Sequence, residues 1–154
     1  ITEYKKEVDF LFVDLPGESK AQNLTRTALA YSDLCIFPLR LSDKDIKAFD
    51  KNVRIPLKQI LTMRDKRHFQ ILPTFAYHSA NIDSFRDNYE TIQIIDKFQN
   101  VHRDRNIYNY FSIGGITLRE YRAKNKNNPV EYGKASKAAY DIELIAMEIL
   151  QKFS

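Results

Sequence analysis

Residues Val8 to Gly17 read V-D-F-L-F-V-D-L-P-G, an apolar run that closes on Asp14 and breaks at once into Pro16 and Gly17. A carboxylate at the tip of a buried strand can accept hydrogen bonds from magnesium-bound water, while the turn after it presents backbone N–H groups to a terminal phosphate. Gly17 leaves room for that approach because it has no side chain. The same residues also describe an ordinary strand-to-helix turn capped by an aspartate, and the spacing D-x-x-G recurs by chance. The other half of nucleotide chemistry, a Gly-rich loop G-x-x-x-x-G-K-[ST], does not occur in the 154 residues.

A second pattern is electrostatic. Lys44, Lys47, Lys51, Arg54 and Lys58 step by three and four, which stacks them on one side of a helix, away from its apolar stripe. Such a row can neutralise DNA phosphates, or it can be a solvated face interspersed with Asp43, Asp45 and Asp50. Arg119, Arg122, Lys124 and Lys126 form a second basic patch on a stretch that reads as an exposed loop. His68, His78 and His102 have no metal-ligand spacing, and Ser19, Ser79 and Ser112 lack the G-x-S-x-G elbow. The nine tyrosines follow no pattern and read as packing residues.

These groups have to be positioned by secondary structure. Phe10 to Val13 fits a strand buried on both faces, and Ala21 to Tyr31 a helix with Leu24, Ala28 and Tyr31 on one side. Leu34 to Phe37 is a second apolar strand, stopped at Pro38. Strand, helix, strand in that order implies a right-handed crossover and parallel pairing. Ser42 and Asp45 form a capping pair before a long amphipathic helix on Ile46, Phe49, Val53, Leu57 and Ile60, kinked or interrupted near Pro56. Phe69 to Phe75 is a third strand, with Pro73 expected at its end. Phe85, Tyr89, Ile92, Ile95 and Phe98 predict a further helix after Asp83; Ile107 to Ile113 is ambiguous, and Gly114-Gly115 is a turn. Arg119 to Pro129 reads as a loop, and a closing amphipathic helix runs from Ala135 to Phe153.

Length and a hydrophobic content of 44% favour one globular domain. No run approaches a membrane-spanning length, no signal-peptide pattern is present, and a cytoplasmic location is expected. The single cysteine, Cys35, excludes an intrachain disulfide and a cysteine metal cluster, and its apolar setting reads as a reduced core thiol. A net charge of +4 is too small to demand a nucleic-acid partner by itself. The sequence starts at Ile1 rather than methionine, which suggests a processed or truncated piece with the phosphate loop upstream.

Asp9 to Gly17, the helix after it, Ala30-Tyr-Ser-Asp-Leu-Cys-Ile-Phe-Pro-Leu39 and Ser42-Asp-Lys-Asp-Ile46 together resemble the ParA/MinD family of deviant-Walker ATPases from the magnesium-binding strand onward. The likeness continues more faintly through Ile71 to Phe75, Val101 to Asn106 and Gly115 to Tyr121. It implies an α/β fold with a three-layer, doubly wound, mostly parallel sheet of P-loop NTPase type, of which residues 1–154 would be the C-terminal portion of a single domain with the N-terminal part missing. Asp14 would be the Walker B acid that holds magnesium through water. Pro16 and Gly17 would form the switch turn, and Arg105 and Asn106 the turn beside the base. Asp104 stands where the family usually has proline, a departure that weakens the base contact.

The resemblance further implies ATP and magnesium as cofactors, a dimer that binds DNA without sequence preference, a ParB-like stimulating partner, and a role in partitioning plasmids, chromosomes or mobile elements. Hydrolysis would need the upstream phosphate loop, so no catalytic residue is assigned within this chain and residues 1–154 alone are not expected to turn over ATP. A different class remains open: a non-enzymatic relative that keeps the fold for DNA or protein interaction. A flavodoxin-like or receiver domain is weakened by the absence of paired acids near an early strand. Asp141, Glu143 and Glu148 on the last helix lean against a membrane-targeting tail.

Overall fold

The computed structural model describes residues 8–15, 22–76, 90–108 and 115–153. Pro16, Gly17 and most of the turn they belong to lie outside them, as do residues 77–89 and 109–114. Helix α1 (Gln22–Tyr31) leads into strand β1 (Cys35–Arg40), helix α2 (Asp43–Leu61) and strand β2 (Phe69–Ala76). A short helix α3 (Glu90–Ile94) precedes strands β3 (Asp96–Lys97) and β4 (His102–Arg103), and two helices close the chain, α4 (Leu118–Lys124) and α5 (Pro129–Gln151).

Every described strand pairing is parallel. β1 runs along β2 in unbroken register from Cys35 opposite Phe69 to Arg40 opposite Thr74. On the other side of β2, β3 pairs with Gln70 and Ile71 and β4 with Thr74 and Ala76. β3 and β4 are thus two halves of one edge strand, broken at residues 98–101. Pro73 was expected at a strand end, yet β2 continues through it; by register it falls opposite this break, where a missing ladder donor matters least. Pro38 likewise does not stop β1, which runs on to Arg40. The protein is therefore α/β with a small open parallel sheet and flanking helices, an arrangement compatible with three layers.

The core explains the sheet's order. Leu39, Phe69 and Ile71 are buried with Leu29 of α1, with Ile46, Leu57 and Ile60 of α2, and with Ile92 and Ile95 around α3. Phe37 meets Phe49 of α2 edge to face at 5.4 Å. Ser42 caps α2 as expected, its hydroxyl accepting from the Asp45 N–H at 3.2 Å and donating to the Asp45 carboxylate at 2.6 Å. In a smaller, separate cluster Ile107 packs on Ala135 and Ala138 of α5 with Tyr108, Leu118 and Tyr121 around it.

Further expectations change, the interruption near Pro56 among them, since α2 runs unbroken from Asp43 to Leu61 through that residue. Phe10 to Val13 is extended without ladder pairing, and Phe12 is 81% exposed instead of buried on both faces. The predicted helix through Phe98 ends at Ile94 because β2 captures the next residues as β3, and strand pairing overrides the helical period. Arg119 to Lys124 is helical rather than a loop: Thr117 and Glu120 form a reciprocal capping box that starts α4 without any buried side chain. The last helix also begins earlier than Ala135, at Pro129, with Asn128 as its N-cap.

Candidate functional site

Parallel sheets bind ligands beyond the carboxyl ends of their strands, and the elements at that end are the tips of β1, β2 and β4 with the turn after β4. Arg105 lies in this turn, but its guanidinium faces inward: Nε and Nη2 donate to Asp141 Oδ2 of α5 at 2.7 and 2.6 Å. Arg103 Nε approaches the other oxygen of the same carboxylate at 3.9 Å. One buried acid thus holds two arginines, and with Asp104 between them in the chain the formal charges of the cluster cancel. Asn106 and Asp104 are exposed beside it. Burial raises the Tyr108 phenol above its ordinary value; the Asp141 charge adds to this and Arg105 opposes it.

Seven residues further along α5, Glu148 performs a second anchoring task. It is buried, and its carboxylate accepts from Gln99 N at 2.8 Å, Asn100 N at 3.0 Å and Asn100 Nδ2 at 2.9 Å. Those amides belong to the break between β3 and β4, where no strand partner is available. The sequence signal was present as two acids on a helix face otherwise made of Ala135, Ala138 and Ile145, but charge on a closing helix reads first as solvent-facing.

Asp14 is exposed, at the end of the segment 8–15. Val8 to Val13, Ser32, Asp33, Leu34 and Ile36, Ile149 near the C-terminal end of α5 and Phe153 just beyond it line an open cleft of about 430 Å³. Phe10 meets Phe153 edge to face at 6.0 Å. No group of three or more His, Cys, Asp or Glu that could hold a metal occurs among the described residues. Asp14 is a single carboxylate open to solvent, a donor suited to a hydrated magnesium ion rather than a bare one.

The five α2 cations are all exposed. At about 100° per residue they fall within an arc of about 80° and run about 21 Å along the helix. Two of the interspersed acids have partners off the stripe. Asp45 is taken up by the Ser42 cap. Asp50 accepts from Thr91 N at 3.1 Å and Thr91 Oγ1 at 2.6 Å, tying α3 to α2, and offers its second oxygen to Arg54 at 3.8 Å. The stripe is therefore only partly neutralised by its own helix.

Compared with protein-family models, with curated proteins and with solved structures, the chain matches none. No helix among the described residues is long and apolar enough to cross a membrane. Cys35 is partly buried against the first core cluster, and burial raises its thiol pKa against the opposing pull of Arg64 and Ser32. It is a packing thiol, as its apolar neighbours in the sequence suggested. Arg64 and His68 reach back to the end of α1, Arg64 Nη1 donating to Leu29 O at 2.7 Å and His68 Nδ1 meeting Asp33 O at 2.7 Å. Basic side chains here satisfy carbonyls that a helix end leaves over.

Proposed function

We propose that this chain is the C-terminal part of a ParA-like partitioning ATPase, a Mg-ATP-dependent dimer of P-loop NTPase type that binds DNA without sequence preference. The observation that carries the DNA half is the exposed stripe Lys44, Lys47, Lys51, Arg54 and Lys58. The nucleotide half rests on the order of Asp14, α1, β1 and α2 and on the parallel sheet that follows. Asp14 would hold magnesium through water, Pro16 and Gly17 would contact the terminal phosphate, and Arg105 and Asn106 would lie toward the base. Because Arg105 is bound to Asp141, its contribution to that side would be to hold the turn in place, with backbone groups making the contact.

The decisive experiment measures DNA retention against salt for the wild type and for the charge reversal Lys47→Glu, Lys51→Glu, Arg54→Glu. A phosphate-dominated complex loses affinity steeply with salt, by a log–log slope near 0.9 per neutralised phosphate. The reversal is expected to abolish retention; an unchanged slope removes the DNA reading. For the nucleotide reading, Asp14→Ala is expected to abolish magnesium-dependent binding of a fluorescent ATP analogue in a chain that carries an upstream phosphate loop. Binding that survives the substitution rejects the role of Asp14.

A second reading has its own support. The α2 stripe lies wholly within these residues and needs no nucleotide to present it, which is what a non-enzymatic DNA-binding module requires. DNA retention by residues 1–154 without ATP favours that module, whereas strict dependence on ATP favours the partitioning ATPase.

A further inference from the structure

Phe10-Leu11-Phe12 reads the same in both directions, and the segment around it, Val8 to Asp14, is apolar except for Asp9 and Asp14. Its backbone makes no hydrogen bond with another described residue. An extended chain with open N–H and C=O groups is a template for pairing with another strand. Its apolar side chains are open as well: Phe12 is 81% exposed, and Val8, Phe10, Leu11, Val13 and Phe153 are between 43% and 49% exposed. Phe10 and Phe12 share one side of the chain, their ring centroids 6.5 Å apart with an interplanar angle of 27°. Phe153 extends that side through its contact with Phe10.

We infer that this segment is where two copies of the chain associate, as antiparallel strands related by a two-fold axis at Leu11. The sequence is self-complementary in that register. Leu11 meets its own copy, and Phe10 meets Phe12 twice, each aromatic pair contributing about 0.2–1 kcal/mol. Asp9 falls opposite Val13 and Asp14 opposite Val8, so no acid faces an acid. Moving the axis by half a residue either way loses both aromatic pairs, and toward Phe12 it also sets Asp9 against Asp14. The six exposed residues leave on the order of 500 Å² of apolar surface per copy, at the upper end of the largest patch on a typical monomer. Two copies then bury about 1,000 Å², the size of a weak but specific association. A two-fold pairing uses the same patch on both copies, so assembly closes at the dimer. It needs neither nucleotide nor the α2 stripe and stands apart from the partitioning reading.

The test is sedimentation of residues 1–154 from micromolar to near-millimolar concentration, without nucleotide or magnesium. A monomer–dimer equilibrium with no larger species is expected. Phe12→Ser, at an exposed position that leaves the core intact, is expected to raise the dissociation constant about tenfold or more, and Phe12→Leu to recover part of the loss. A second measurement reads the register. In a Cys35→Ala background, Leu11→Cys is expected to crosslink two copies under mild oxidation, because facing residues of antiparallel strands have α-carbons about 4.5–5.5 Å apart, within disulfide reach. Met63→Cys, exposed after the end of α2, is the control and is expected to stay uncrosslinked. A wild-type chain that stays monomeric, an unchanged constant in Phe12→Ser, or Leu11→Cys crosslinking no faster than Met63→Cys overturns the interface. Growth beyond the dimer overturns the closed two-fold pairing. DNA retention by the α2 stripe is untouched by any of these results.

Discussion

Glu148→Ala is the substitution on which the account of α5 can be tested most sharply. The side chain has 8% relative exposure, and its carboxylate is the acceptor for two backbone N–H groups and one side-chain amide at the break in the edge strand. A buried donor deprived of its partner costs about 1–3 kcal/mol, so two stranded backbone donors place the loss at about 2–6 kcal/mol. For a domain of this size each kcal/mol lowers Tm by about 2–4 °C. Glu148→Gln keeps one carbonyl acceptor at the same place and is expected to cost about 1–2 kcal/mol. Glu143→Ala, which removes an exposed acid from the same helix, is expected to stay within about 0.5 kcal/mol. Urea unfolding of the three variants gives the ranking, and hydrogen exchange at Gln99 and Asn100 gives the local cause, since both amides are expected to lose protection in Glu148→Ala. If Glu148→Ala proved no more costly than Glu143→Ala, or if the two amides stayed protected, the carboxylate would not be what holds the break.

Other outcomes follow from the same geometry. Asp141→Ala removes the shared partner of Arg103 and Arg105 and is expected to cost about 2 kcal/mol by urea unfolding, less than a fully buried pair because both guanidinium groups are partly solvated. Ser42→Ala is expected to cost about 1 kcal/mol and to fray the first turn of α2 in amide exchange. Ile71→Ala, at a fully buried position of β2, is expected to cost about 2–5 kcal/mol in the same assay. The Glu120 carboxyl is held below its ordinary value by the Thr117 backbone N–H and hydroxyl, so its share of α4 stability is present above the unfolded carboxyl range and is lost as pH falls through its lowered value. Helicity of residues 118–124 followed by NMR should decline on acidification, and Glu120→Gln should flatten that decline.

The elements that sequence reasoning located were those whose local signals and tertiary surroundings agree. α2 has a cap, a period and a buried stripe that all indicate one helix, and β1 and β2 are apolar runs that found each other as neighbours. Val8 to Val13 carries the composition of a buried strand, but burial depends on flanking strands and not on the run itself, and here it rests against the end of α5 without pairing. Ile92, Ile95 and Phe98 are all buried, so their period reported burial correctly and conformation only as far as Ile94. α4 was missed because its apolar content is low; the T-x-x-E pattern at Thr117 was the available signal. At the candidate site, the α2 cations were legible because a helix face follows from spacing alone. The contacts of Asp141 with Arg105 and of Glu148 with Gln99 and Asn100 were not, because they join residues far apart in the chain.

The two acids of α5 have a consequence for how the protein can come apart. Asp141 and Glu148 are about 10 Å apart along the helix axis, and each fastens a different end of the residues between β3 and the turn after β4. That strand is too short in either half to persist on ladder bonds alone, so its order is borrowed from a helix that starts more than twenty residues later in the chain. Residues 96–105 and 129–151 therefore form one cooperative unit, and thermal opening that lifts the helix dissolves the sheet's far edge in the same event.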